Sequence, residues 1–184
     1  MNSNPLLRVR GDRALNVYHS SKEGFSILEV VIAIFIIAMG LIGILSLVEQ
    51  NLQVKYINKN GIIASMLAQE GLELVRNIRD TNWLLGIDWD NGISNGGVKT
   101  FRISYTGKSS IADVSGIDDP SAKLFVTPDG YYANVATALP TPFSRVIITS
   151  DHGDYLDAIC LIRFKKGASN YDYIAQTQIY NWKK

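Results

Sequence analysis

The sequence predicts an α+β protein. One long N-terminal helix, with a membrane half and an amphipathic half, packs on an antiparallel β-sheet head. Three observations carry this. Residues 25–48 form an apolar run broken by a single charge, Glu29. Proline is absent from Phe25 to Asp80, while apolar residues recur at helical spacing past the run. From residue 98 onward, short segments alternate apolar and polar side chains between turn signals.

Residues 1–24 read as a cytoplasmic leader. They carry Arg8, Arg10, Arg13 and Lys22 against Asp12 and Glu23, together with Pro5 and Gly11 and no period. That composition suits a disordered segment. The basic excess keeps the N-terminus inside by the positive-inside rule and sends the remainder outward. Removing these four basic and two acidic residues from the chain's 18 and 17 leaves 14 and 15. A near-neutral chain does not bind nucleic acid by bulk electrostatics.

Residues 25–48 read as a transmembrane segment. At 1.5 Å per residue the run spans roughly 36 Å, enough for a hydrocarbon core of ~30 Å. It is too long for a secretory signal, and no small-residue cleavage site follows it. Glu29 costs roughly 2.5–3.5 kcal/mol in a membrane and so calls for a partner. A new α-amino group at Phe25 would supply one, a helical turn away, if the chain were cut after Gly24.

Residues 49–80 continue as an amphipathic helix. Leu52, Tyr56, Ile63, Leu67, Leu74 and Ile78 define the apolar stripe. Glu49, Gln53, Lys55, Lys59, Glu73, Arg76 and Arg79 occupy the other faces. Asp80-Thr81-Asn82 is the expected end. Gly61 and Gly71 read as tolerated interruptions. Gly40 and Gly43 serve either as weak points of the helix, at up to ~1 kcal/mol each, or as sites of close helix packing.

Residues 81–184 form the head. Trp83 to Gly97 is a loop-rich connector with turn signals at Asp88-Trp89-Asp90-Asn91-Gly92 and Asn95-Gly96-Gly97. Strands are expected at 98–105, 123–127, 131–135, 143–149, 158–164 and 173–180. Pro128-Asp129-Gly130 makes a hairpin of the second and third, and residues 116–120 form a loop. Alternation suits an antiparallel sheet with one face on the amphipathic helix. Cys160, the only cysteine, lies in an apolar run, reads as a buried thiol and excludes an internal disulfide.

The octapeptide Lys22-Glu23-Gly24-Phe25-Ser26-Ile27-Leu28-Glu29, with the apolar run behind it, resembles the processing site of type IV prepilins and pseudopilins. The resemblance implies a pilin-like fold, cleavage after Gly24 by a prepilin peptidase, N-methylation of Phe25, and an assembly role for Glu29. Residues Ala64 to Arg79, with Gly40-Leu41-Ile42-Gly43, look like the stalk of V-type minor pilins (type IV pilus modification proteins) and of I-type pseudopilins. Trp182 resembles a tryptophan that closes V-type minor pilins, and it reads as a packing anchor. Two departures stand out. The leader is long for the commonest prepilin class, and the helix-breaking proline of major pilins is Ser46 here.

Little points to catalysis. His19 lies in the leader. His152 has Ser150, Asp151 and Asp154 beside it, but a triad is recognised by spatial geometry, and with Gly153 the cluster reads as a polar turn. No zinc-spaced Cys/His set or phosphate-binding glycine loop is present in the sequence. Asp151, Asp154 and Asp157 offer oxygen donors for calcium but lack an EF-hand pattern. Lys165-Lys166 and Lys183-Lys184 read as solvated faces or edge protection rather than a DNA surface.

The expectation is therefore a non-enzymatic minor subunit of a type IV pilus or related filament. It needs no cofactor, metal or small-molecule substrate. Its partners are the prepilin peptidase, other pilin subunits and the membrane. It starts as a single-pass inner-membrane protein and ends in an extracytoplasmic filament. The alternatives are an I-type pseudopilin of a type II secretion system, a signal-anchored receptor that never polymerises, and an anchored hydrolase with a cleft at His152.

Overall fold

The computed structural model of the protein describes residues 24–105, 110–135 and 139–182. The leader, including His19, and Lys183-Lys184 lie outside the described residues. The chain divides into two units, Met1–Glu49 and Gln50–Lys184.

A single helix, α1 (Ile27–Leu85), runs through this division. Gly40 and Gly43 do not break it. The helix ends at Leu85, not at Asn82 as the polar triplet suggested. Asn82 is buried, and its side-chain amide donates to the carbonyls of Trp89 at 3.0 Å and Asn91 at 2.9 Å. The real stop is Gly86, whose φ of 68° is left-handed. Its N–H reaches Trp83 O at 3.2 Å, and Ile87 N–H reaches Asn82 O at 3.1 Å. These two bonds form a Schellman motif and satisfy carbonyls that the last turn leaves open.

The head is one seven-stranded antiparallel sheet. Its strands are β1 (Val98–Arg102), β2 (Ala112–Asp113), β3 (Lys123–Val126), β4 (Tyr132–Ala133), β5 (Leu139–Asp151), β6 (Tyr155–Lys166) and β7 (Ser169–Tyr180). β5 is central. Its later residues pair with β1 and its earlier residues with β3, while β6 lies along its other edge. β7 extends the sheet beyond β6.

The expected strands are present with shifted ends. β1 stops at Arg102 rather than at residue 105. The hairpin at Pro128-Asp129-Gly130 forms, with Gly130 at φ 86° and its N–H on Thr127 O at 2.9 Å. β5 begins four residues earlier than expected and includes Pro140 and Pro142. Proline lacks a ladder donor, but β5 pairs with β6 only from Phe143 onward. Before Phe143 the strand has β3 on one side alone, so an N–H can be spared. β2 is two residues long, too short to carry a period.

The core lies between the sheet and the outer half of α1. Ala64, Leu67, Ala68, Leu72, Val75 and Ile78 are buried against Phe101, Ile147, Leu156, Cys160, Ile162 and Ile179. The expected stripe holds from Ile63 onward, with Leu67 and Ile78 buried and Ile63 and Leu74 packed against the core, but not at its start. Leu52 is 60% exposed and Tyr56 38% exposed. Between the large apolar residues the face carries small ones, Ala64, Ala68 and Gly71, which admit close backbone approach. Gly71 makes the point: a Cβ there would lie 2.8 Å from Cys160 Sγ and 3.1 Å from Ile147 Cδ1. Reading Gly71 as a tolerated interruption is therefore wrong, whereas a Cβ at Gly61 meets nothing within 4 Å.

Arg145 holds helix and sheet together from within. It is 1% exposed and donates to Leu67 O at 3.2 Å, Glu70 Oε1 at 3.2 Å and Ile103 O at 2.8 Å. The connector is likewise pinned. Trp89 and Ile93 are buried, and Thr149 Oγ1 donates to Ile93 O at 2.6 Å. Trp182 meets Trp83 edge to face at 4.6 Å between ring centroids. It remains 68% exposed, so the expected packing anchor is only a lid on Trp83.

Candidate processing and assembly site

The first unit places the motif residues in sequence along one short stretch. Gly24, Phe25 and Ser26 precede the helix in irregular backbone. The Gly24–Phe25 peptide is exposed, with the Phe25 ring 80% accessible. A protease needs its target backbone outside regular structure, because a helical peptide bond already has its N–H and C=O engaged. This peptide meets that condition.

Ser26 marks the start of the helix. Its carbonyl accepts the Val30 N–H at 3.1 Å, the first intrahelical bond. That makes Ser26 the N-cap, and Ser26-Ile27-Leu28-Glu29 has the spacing of a capping box. Sequence reasoning missed this role for Ser26, although the Ser-x-x-Glu signal was visible. The motif thus ends the irregular segment and begins the helix within two residues of the Gly24–Phe25 peptide.

Glu29 stands exposed in the first turn of α1. The helix N-terminus carries partial positive charge, which favours a carboxylate by ~0.3–1 kcal/mol at exposed sites. That is well below the ~2.5–3.5 kcal/mol cost of an ionised side chain inside a membrane. The dipole offsets only a minor part, and a full positive charge nearby is needed for the rest. Phe25 lies two residues before the helix, close to Glu29 in sequence.

From Gly24 to Glu49 every residue is exposed. Ile27, Leu28, Ile34, Phe35, Ile36, Ile37 and Leu45 all face outward without a covering element. This length of helix is long and apolar enough to cross a membrane. At ~25 cal/mol per Å² such a surface is strongly disfavoured in water, so lipid or other apolar helices must cover it.

The other residues singled out from sequence do not converge. His152 stacks on Tyr155 at 4.7 Å, and its Nε2 lies 3.1 Å from Asp157 Oδ2. Asp157 also accepts from Gln178 at 3.0 Å. Asp151 takes the Ser94 hydroxyl and, at 2.7 Å, the Gly153 N–H. The Ser94 hydroxyl first, and then that N–H, hold its carboxyl below the usual carboxylate range. Among the described residues no group of three or more His, Cys, Asp or Glu side chains is placed to hold a metal ion. Cys160 is buried, and burial pushes its thiol up to about 12.

Residues 19–45 match the family model described as the prokaryotic N-terminal methylation motif. No curated protein and no solved structure matches the chain.

Proposed function

We propose that this chain, which carries the N-terminal methylation motif of type IV prepilin-like proteins, is a minor subunit of a type IV pilus or related filament. Prepilin peptidase cuts between Gly24 and Phe25 and methylates Phe25. The protein is the substrate of that step and not an enzyme. The observation that carries the reading is the pairing of an exposed, non-helical Gly24–Phe25 peptide with an uncovered apolar stretch of helix, residues 27–48, whose one charge is Glu29.

Three steps follow from these residues. The basic leader holds the N-terminus on the cytoplasmic side while the head faces outward. Cleavage then creates the amine that neutralises Glu29, in the same chain or in a neighbour. Apolar helices finally leave lipid and pack against one another in the filament. A carboxylate without its amine would remain an unpaired buried charge, so correctly docked subunits are favoured.

Mass spectrometry of the N-terminal peptide, from membranes of cells with an active prepilin peptidase, tests the reading. A peptide beginning with N-methylated Phe25 is expected. An intact leader under those conditions overturns it and favours a signal-anchored receptor. Glu29→Ala is expected to leave membrane insertion intact and to reduce incorporation into filaments, measured by subunit content of sheared filaments. Gly24→Ala is expected to slow processing, and an unchanged yield of mature protein would count against the cut site.

A further inference from the structure

The chain contains three Asn-Gly pairs: Asn60-Gly61, Asn91-Gly92 and Asn95-Gly96. Such a pair can react without an enzyme. The glycine backbone nitrogen attacks the asparagine side-chain amide carbon, since glycine has no Cβ to hinder the approach. Ammonia leaves and a succinimide ring remains. Local geometry decides which pair reacts, because the amide carbon must reach the nitrogen and the N–H must lose its proton.

Two of the pairs are held away from that geometry. Asn60-Gly61 lies inside α1, where the Gly61 N–H belongs to the helix ladder, and Asn60 is buried. Asn91 is pinned through its backbone. Its N–H donates to Asp88 O at 3.0 Å, and its carbonyl accepts the Asn82 side-chain amide at 2.9 Å. The peptide joining it to Gly92 is therefore kept from turning onto the side chain.

Asn95-Gly96 is arranged differently. Asn95 Oδ1 accepts the Gly97 N–H at 3.2 Å, which closes an Asx turn and curls the side-chain amide back over the Gly96 peptide. The same N–H sits where negative charge gathers on Oδ1 during attack, the place of an oxyanion donor. The Gly96 N–H, on the attacking nitrogen, donates to Ser94 Oγ at 3.0 Å. Ser94 Oγ donates in turn to Asp151 Oδ2. Nucleophile, proton acceptor and oxyanion donor thus meet at one amide. The turn is clamped on both sides. Before it, the Ser94 N–H is held on Asp90 O at 2.9 Å; after it, Gly97 O accepts the Asp151 N–H at 3.1 Å. Asn95 and Gly96 are themselves exposed, so water reaches them.

We propose that Asn95-Gly96 is a self-modifying site, where the folded head converts its own asparagine amide to a succinimide and then, with water, to aspartate or isoaspartate. The bond formed joins Gly96 N to Asn95 Cγ, and the bond broken is Asn95 Cγ–Nδ2. The Gly96 proton passes to Ser94 Oγ as the serine hydrogen moves to Asp151, and Asp151 returns a proton to the departing ammonia. Water then opens the ring at either carbonyl. Aspartate places a new carboxylate one residue from Ser94, where it repels Asp151. Isoaspartate also adds a methylene to the main chain ahead of Gly97 and Val98. Either product works against the Asp151 clamp. This chemistry is independent of the filament reading.

The full chain in detergent micelles can be held in warm neutral buffer, sampled over time, digested and read by mass spectrometry for amide-to-acid conversion at each Asn-Gly pair. A synthetic peptide spanning residues 88–102 serves as the unfolded reference. Asn95 is expected to convert about tenfold or more faster in the folded chain than in the peptide, and Asn91 more slowly in the chain than in the peptide. Ser94→Ala removes the proton acceptor and should slow Asn95 by about tenfold or more, while Ser94→Thr, which keeps the hydroxyl, should restore the rate. The ratio of chain to peptide needs no variant, so it decides the matter even where Ser94→Ala loosens the turn. A rate at Asn95 no higher in the chain than in the peptide would overturn the proposal. So would faster conversion at Asn91 than at Asn95 in the folded chain.

Discussion

At the scale of single residues, the tightest constraint is Gly71. A methyl group there meets Cys160 Sγ at 2.8 Å, Ile147 Cδ1 at 3.1 Å and Arg145 Cδ at 3.3 Å. Overpacking of this kind costs ~1–3 kcal/mol. Gly71→Ala should lower stability by about that amount in urea unfolding of the full chain. Gly61→Ala should be neutral or stabilising by up to ~1 kcal/mol, since it gains helix propensity in open space. The sequence alone shows Gly61 and Gly71 in the amphipathic half of one helix, and nothing local separates them. Cys160 gives a second contrast. Its thiol is pushed up to about 12, mainly by burial, so iodoacetamide at pH 8 should leave the folded protein unlabelled. Labelling should appear only under denaturing conditions.

At the scale of elements, Arg145 shows how charge can serve packing. β5 puts this guanidinium against α1 and not into solvent, with Leu67 O, Glu70 and Ile103 O as acceptors. Arg145→Ala would take this donor from the buried Leu67 and Ile103 carbonyls and from Glu70, and open a cavity. We expect a loss of ~3–5 kcal/mol, checked by denaturant unfolding, with Glu70→Gln costing less because Glu70 is partly exposed. A second element-scale prediction concerns the connector. The Asp151 carboxyl is held below its ordinary range by Ser94 and Gly153. A carboxylate with a depressed folded pKa contributes stability that is present above its unfolded value near 3.8 and is lost as pH falls through the folded value. Protection of the Gly153 amide, relative to its intrinsic exchange rate, should therefore fall in acid, and Asp151→Asn should flatten that dependence.

At the scale of the whole molecule, two solvents act on one chain. Residues 24–49 are exposed throughout and apolar, whereas the residues from 50 onward build a core of their own. A version beginning at Gln50 should stay soluble without detergent and keep the full chain's melting temperature. Aggregation or loss of cooperative melting would show that the head depends on the segment before it.

The sequence by itself determined the α+β class, the long helix, the hairpin at Pro128-Asp129-Gly130 and the Gly24-Phe25-Glu29 motif. These are set by contiguous residues: an apolar run, a turn signal, a period of two or a fixed spacing. The tertiary structure decided that the buried stripe of α1 excludes Leu52 and Tyr56, that Gly71 is a contact point, that Arg145 is internal, that Gly86 and not Asn82 ends the helix, and that no described strand pairs with the outer side of β7. Each of these depends on groups far apart in the chain, such as Gly71 and Cys160. A local pattern records a residue's polarity and spacing, but the distance of closest approach between distant backbones exists only once the sheet and helix have packed.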